Sequence, residues 1–315
     1  MARMNTGVLF VLAISFLLAS LSTRAETPVD LRIDQMPDAI RVVTANGLEL
    51  VRYQLTKPTT GAAASESACY FHPVATPSGT IVTALAPSDH KHHRGIFLGW
   101  VEMHGRKDAD FWGWGEHAPT AGRKIIHRAL KDVNTANGEA HFTAQNEWLA
   151  ENESLLGEEL RAVVRVTKAG TVLDVTYRLT PTDDIALAQW AFSGFCARVR
   201  TDGRPTIMAA SGKPTLPAPS HLKPESDWPD EPWYDLSTAL SDGKSVGLAV
   251  INHPENPPTR WHNIAAITML NPCIVAPAAM QLKSGQPLVL RYRIVAHDGD
   301  PNKTALNELA AEFRK

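Results

Sequence analysis

Apolar and polar positions alternate with a period of two through much of this chain. The clearest case is residues 159–167, where Leu160, Ala162, Val164 and Val166 alternate with Arg161, Val163, Arg165 and Thr167. That period marks a strand with one face buried. Ala169-Gly170 joins this run to residues 171–179, which predicts an antiparallel pair. Asn-Gly, a dipeptide that accepts the positive φ angles of tight hairpin turns, occurs between residues 40–45 and 48–55 and again between 125–132 and 140–148. Further strands are expected over 190–199, 245–252, 264–270 and 288–297. Short connections between such runs predict an all-β, antiparallel chain and disfavour a parallel α/β fold. One short C-terminal helix is expected: Asp300 can cap it, Pro301 suits its first position, and Leu306, Leu309 and Phe313 fall at helical spacing to cover a sheet edge.

Residues 201–235 hold Pro205, Pro214, Pro217, Pro219, Pro224, Pro229 and Pro232 and read as one long proline-rich loop. A loop of that length in a compact domain serves as a lid or an excursion. Trp228 and Trp233 would be costly to expose, which favours the lid. At the start of the chain, Arg3 precedes an apolar run over residues 8–21, and Thr23 and Ala25 occupy the positions a signal peptidase reads. Residues 1–25 are therefore expected to be a signal peptide, and the chain to be exported to the periplasm or beyond the cell. A membrane anchor is the alternative, but a spanning helix needs about 20 apolar residues, more than the run supplies. No later run is apolar for that long, so residues 26–315 are expected to form a single domain without a membrane span.

Charged residues make up 20% of the chain and hydrophobic ones 44%, a globular balance that excludes disorder. A net charge of −2 offers no broad basic surface for phosphates, which excludes nucleic acid as a partner. Cys69, Cys196 and Cys273 allow one disulfide with a thiol left over, or none, and without a CxxC pair a thiolate zinc site is not expected.

The densest chemistry is DHKHHRGIFLGWVEMHGRKDADFWGWGEH, residues 89–117, which carries His90, His92, His93, His104 and His117 with Arg94, Glu102 and Asp110 among them. If residues 89–94 are extended, His90 and His92 face one way and His93 the other. Imidazoles titrate near neutral pH, so one could give a proton to a sugar oxygen while Asp110 or Glu102 removes another. Neutral imidazoles also bind metals, and His90 and His92 with His262 could hold a divalent ion, although nothing in the sequence requires a cofactor. The third reading is structural: histidines bridging loop backbone, with Arg94 holding carbonyls. A second cluster, HPENPPTRWHN over residues 253–263 followed by Asn271-Pro272, places Trp261 beside His262 directly after an expected strand. A flat indole face suits a pyranose ring, and a core tryptophan is the alternative.

The segments YFHPVATPSGTIVT, SDHKHHRGIFLGW, DFWGWGEH, WYDLSTALSDGKSVGLAVINHPENPPTRWH and LRYRIVAHDG, spread over residues 70–299, resemble the bacterial PmoA-like family, a domain of unknown function. The resemblance implies a β-sandwich similar to the galactose mutarotase-like fold and an association with sugar degradation. The family also carries a methane oxygenase label, which is rejected because particulate methane oxidation belongs to an integral membrane complex and no run after residue 25 is long and apolar enough to span a membrane. Lys91 stands where the commoner family motif has proline, Trp100 stands where it has histidine, and residues 106–109 are an insertion. His90, His92, His93, Arg94, Asp110, Phe111, Trp112, Trp261 and His262 match the motif.

The expected protein is thus a β-sandwich with a carbohydrate pocket in its sheet-end loops. The expected activity is acid/base chemistry on a sugar or modified glycoside, as an epimerase, lyase or hydrolase. His92 or His262 would be the acid, Asp110 or Glu102 the base, and Arg94 the holder of an oxyanion. Trp112 and Trp261 would form the ring platform, and His90, His93 and Asn271 would contact the substrate. The alternatives are a non-catalytic carbohydrate-binding protein and a metal-dependent sugar enzyme with His90, His92 and His262 as ligands.

Overall fold

The computed structural model describes residues 29–59 and 63–314. The expected signal peptide lies outside the described residues. Alternating runs form the expected ladders: Glu153–Thr167 pairs with Gly170–Pro181, and Arg123–Ala136 with Glu139–Ala150, all antiparallel. The second hairpin turns through Asn137 and Gly138 with φ of 54° and 77°, a turn that matches strand twist. At the other Asn-Gly only Gly47 has a positive φ, 88°. Thr44 N–H donates to Leu48 O at 2.9 Å there, closing a longer turn.

Two antiparallel sheets face each other. The seven-stranded sheet runs, in order across it, Leu31–Gln35, Ala39–Thr44, Glu49–Gln54, Phe71–Val74, Ile96–Gly99, Gly194–Arg198 and Met269–Leu270. The eight-stranded sheet runs Arg204–Ala209, Trp233–Ala239, Ser245–Asn252, Leu288–Asp298, Gly170–Pro181, Glu153–Thr167, Glu139–Ala150 and Arg123–Ala136. Tyr53, Leu98 and Phe195 from the first sheet meet Leu160, Leu173 and Leu248 from the second in one apolar cluster, which makes the chain a β-sandwich. One carboxyl is sealed into this core. Glu158 accepts from Asn146 Nδ2 at 2.6 Å and Trp148 Nε1 at 2.8 Å, and the same Asn146 nitrogen reaches Tyr53 Oη on the opposite sheet at 2.7 Å. Burial pushes Glu158 up to about 7, against the pull of those two donors.

Alternation disappears in Ser245–Asn252 because both of its faces are covered. Leu248 and Val250 enter the inter-sheet core, while Ala249 and Ile251 pack outward under Leu306 and Leu309 of the helix Lys303–Phe313. The helix therefore lies on the outer face of the central strands rather than along an edge. Asn302, not Asp300, caps it, with its side chain accepting from Ala305 N–H at 3.1 Å.

The stretch 201–235 is not one loop. Arg204–Ala209 pairs with Trp233–Ala239 as an edge strand, a place that tolerates Pro205 because half of an edge strand's backbone groups need no partner. Expected strand 264–270 shrinks to Met269–Leu270, because Ile264 and Met269 exchange 3.1 Å hydrogen bonds around the single turn Ala265–Ile267. Expected strand 190–199 shrinks to Gly194–Arg198, and the residues before it form a loop. Cys69, Cys196 and Cys273 are buried and unpaired. Among the described residues no helix is long and apolar enough to cross a membrane.

Candidate functional site

Strands of the seven-stranded sheet turn Ile96, Leu98, Phe195, Ala197 and Leu270 toward the inter-sheet core and Phe97, Cys196 and Met269 to the opposite face. Over that outer face, with Trp112 and Phe192 in the covering layer, opens a cleft of about 400 Å³, solvent-side space included. The site therefore lies on a sheet face, not at the sheet ends. Its walls bring together His90, His92, His93, Trp112, Trp114 and Phe192 with His221. The first five come from the dense histidine–tryptophan segment, whereas His221 comes from the proline-rich excursion.

Segment 89–94 is not extended. His90 N–H donates to Pro87 O and His93 N–H to His90 O, each at 3.0 Å. These two turns cancel the strand alternation, so His93 joins His90 and His92: their ring centroids lie 4.6 to 5.6 Å apart. Buried Arg198 donates to His93 Nδ1 at 3.1 Å and to Asp89 Oδ2 at 2.6 Å, and His90 Nδ1 meets the same Asp89 oxygen at 2.9 Å. Burial pushes Asp89 up, but the hydrogen bonds from Arg198 and His90 outweigh it and hold the carboxyl at about 2. Arg198 is always a donor, so His93 accepts at Nδ1 and carries its proton on Nε2. Burial, then His92 and Arg198, drive the His93 imidazolium far below its ordinary range. Burial, then His90 and Arg94, lower His92 to about 4.

A second assembly runs inward from the cleft. His221 Nδ1 lies 2.9 Å from His262 Nε2, and His262 Nδ1 lies 2.6 Å from Asp227 Oδ1. The side chains of His262 and Asp227 are fully buried, while His221 is exposed. Burial raises the Asp227 carboxyl and lowers the His262 imidazolium, so this pair resists net charge. Trp228 and Trp261 exchange backbone hydrogen bonds of 2.9 and 3.0 Å. That bridge fastens the excursion beside His262 and sets His221 at the cleft.

Other expected site residues support the cleft without reaching it. Asp110 accepts Gly113 N–H at 2.7 Å and Gly115 N–H at 2.6 Å, so its two oxygens shape the DFWGWG loop, and it does not line the cleft. Glu102 binds His104 Nε2 with one oxygen and Trp190 Nε1 with the other, each at 2.8 Å. Trp190 in turn packs edge-on against Trp114, so Glu102 braces the aromatic wall. Buried Arg94 donates to the carbonyls of His92, Phe111 and Trp112 at 3.0 to 3.3 Å; it ties the two motif segments together and is no oxyanion holder. Asn271 bonds Ser193 and Phe195 backbone and is fully buried. Trp261 is also fully buried, packed on Tyr234 at 4.9 Å, and offers no face to a sugar. His262 spends both ring nitrogens within the relay, so the set His90, His92 and His262 does not form. Among the described residues no group of three or more His, Cys, Asp or Glu is arranged to hold a metal.

Reading the sequence missed His221, Asp227, Trp114 and Phe192. Trp114 had a signal, as the second indole of DFWGWG, whereas His221 stands alone among prolines and had none.

Fold and cleft together define an antiparallel β-sandwich with an imidazole-lined cleft on the outer face of one sheet. The chain belongs to the family of unknown function DUF6807, which matches residues 41–311. No curated protein matches it. Solved structures similar to it include heparan sulfate lyase HepC from Pedobacter heparinus, at 10% identity and a TM-score of 0.40, covering 88% of this chain and 36% of that one. The Slr1438 protein from Synechocystis sp. PCC 6803 has 10% identity and a TM-score of 0.37, covering 91% and 99%. A galactose mutarotase related enzyme from Lactobacillus acidophilus has 8% identity and a TM-score of 0.33, covering 86% and 99%. This chain spans about a third of the lyase's length. Likenesses of this depth assign no activity.

Proposed function

We propose that this protein is a carbohydrate-active enzyme that moves a proton on a sugar or modified glycoside, with His221 as the acid/base group at the cleft. The observation that supports this reading is the chain Asp227, His262, His221, which runs from a sealed carboxyl to an exposed imidazole.

The relay has two states that differ by one proton. With Asp227 ionised, His262 Nδ1–H donates to it, His262 Nε2 accepts from His221 Nδ1–H, and His221 Nε2 presents a lone pair, which makes it a base. With one more proton in the relay, His262 Nε2–H donates to His221 Nδ1, and His221 Nε2–H faces the cleft as an acid. The added charge is taken up between His262 and Asp227, so His221 changes role while staying neutral. His262, named above as a possible acid, becomes a positioning residue for His221. His92 lines the cleft, and among the described residues its ring nitrogens have no hydrogen-bond partner, which leaves them for substrate. Trp114 and Phe192 replace Trp261 as apolar faces for the ring.

The resemblance to PmoA-like proteins enters this reading through its sugar association only. Residues 1–25 carry the export proposal, which the N-terminal residue of protein recovered from the host tests. For the activity, purified protein is incubated in deuterated water with neutral methyl glycosides and keto-glycosides and followed by proton NMR. His221→Ala should reduce deuterium entry or bond cleavage by roughly 100-fold or more. His262→Asn should shift the pH profile of kcat while leaving KM nearly unchanged. Wild-type turnover by His221→Ala overturns the assignment. No turnover, with line broadening of one sugar that Trp114→Ala abolishes, identifies a carbohydrate-binding protein instead.

A further inference from the structure

The side chains that line the cleft bear on the charge of its ligand. In neutral His90 the single N–H sits on Nδ1, because the Asp89 carboxylate 2.9 Å away can only accept. His90 Nε2 is then a lone pair. Asp89 is held to that role by Arg198 at 2.6 Å, so the tautomer is built in from behind the cleft. Among the described residues that line the cleft there is no Lys, Arg, Asp or Glu. The guanidinium groups of Arg94 and Arg198 are both buried, and their terminal nitrogens are committed, those of Arg94 to three backbone carbonyls and those of Arg198 to Asp89 and His93.

We propose that the cleft selects an uncharged, hydroxyl-bearing sugar ring and discriminates against uronates and sulfated sugars. This inference rests on the sugar reading above and narrows it. A hydroxyl both donates and accepts, so it can give its proton to His90 Nε2 and pair with either state of the His221 relay. A carboxylate or sulfate only accepts. It leaves the His90 lone pair without a donor, and although His93 Nε2–H can donate to it, it would lose its hydration with only neutral donors and no cation in return. The indole face of Trp114 and the ring of Phe192 suit the C–H side of a pyranose.

Two measurements on the intact chain test this at pH 8, above the ordinary imidazole range. Saturation-transfer NMR and calorimetry compare methyl glucoside, galactoside and mannoside with methyl glucuronide, methyl galacturonide and a 6-sulfated galactoside. At least one neutral ring should bind at least 10-fold more tightly than its charged counterpart. Charged rings binding as tightly as neutral ones, or more tightly, overturn the proposal and leave the sugar reading standing. Binding by none of the six overturns both. Long-range proton–nitrogen correlation of the imidazoles provides the readout independent of ligand. His90 should carry its proton on Nδ1 and His93 on Nε2; a proton on His90 Nε2 removes the acceptor and with it the proposal.

Discussion

Replacing Glu158 by glutamine tests whether the inter-sheet core stores a titratable proton. The wild-type carboxyl is raised from the ordinary 4.5 to about 7 by burial. The folded state therefore holds a proton that the unfolded chain releases at lower pH. Stability from this group is fully present below pH 4.5, declines as pH rises to about 7, and is constant above. At about 1.4 kcal/mol per pH unit, that gap amounts to roughly 3 kcal/mol. Glutamine cannot ionise, so Glu158→Gln should lose none of it. Its cost at low pH is set by local geometry, since its amide must fit between Asn146 and Trp148, and that cost does not change with pH. The assay is urea unfolding by tryptophan fluorescence at pH 4.5, 6 and 8 for both proteins. All other titrating groups cancel in the difference between them. That difference should move by roughly 3 kcal/mol in favour of the variant between pH 4.5 and pH 8, or on the order of 10 °C in Tm for a chain of this size. A difference independent of pH would mean that Glu158 ionises in the fold as it does in water, and the reasoning would fail.

A Cβ at Gly113, where φ is +109°, would meet His92 Cβ at 2.7 Å. Gly113→Ala should therefore displace His92 from the cleft wall and destabilise the fold by roughly 1–3 kcal/mol, read by thermal melting together with sugar titration. On the eight-stranded sheet, His297 Nε2 lies 2.7 Å from Asp235. Burial disfavours the protonated imidazole, but the Asp235 carboxylate and the Gly299 carbonyl outweigh it and raise His297 above its ordinary 6.5. Stability from this pair is fully present below pH 6.5 and is lost as pH climbs through the higher folded value. Asp235→Asn should thus destabilise more at pH 5.5 than at pH 9 in melting curves, and an equal loss at both would contradict the assignment.

Much of the fold was legible because strand and turn signals act over a few residues. The alternation over Leu160 to Val166, the Asn137-Gly138 turn and the spacing of Leu306 and Leu309 are local, and each holds in the structure. Other elements hid because their local signal was masked. Pro205 concealed the edge strand Arg204–Ala209, Pro73 interrupted Phe71–Val74, and burial on both sides removed alternation from Ile96–Gly99. The candidate site divides in the same way. His90, His92 and His93 stand close in sequence, so their density alone marked a site. What each side chain does there depended on partners far along the chain. Arg198, 105 residues from His93, sets its tautomer. His262 reaches His221 over 41 residues and Asp227 over 35. Asp110, Glu102, Arg94 and Trp261 carry the chemistry expected of catalytic groups, yet backbone amides, an indole, carbonyls and core packing claim them. The sequence by itself determined which backbone stretches would pair and where imidazoles would gather, because those preferences are short-ranged. Tertiary structure alone decided which polar atoms remain free, because a donor or acceptor is spent only when packing brings its partner within hydrogen-bond reach.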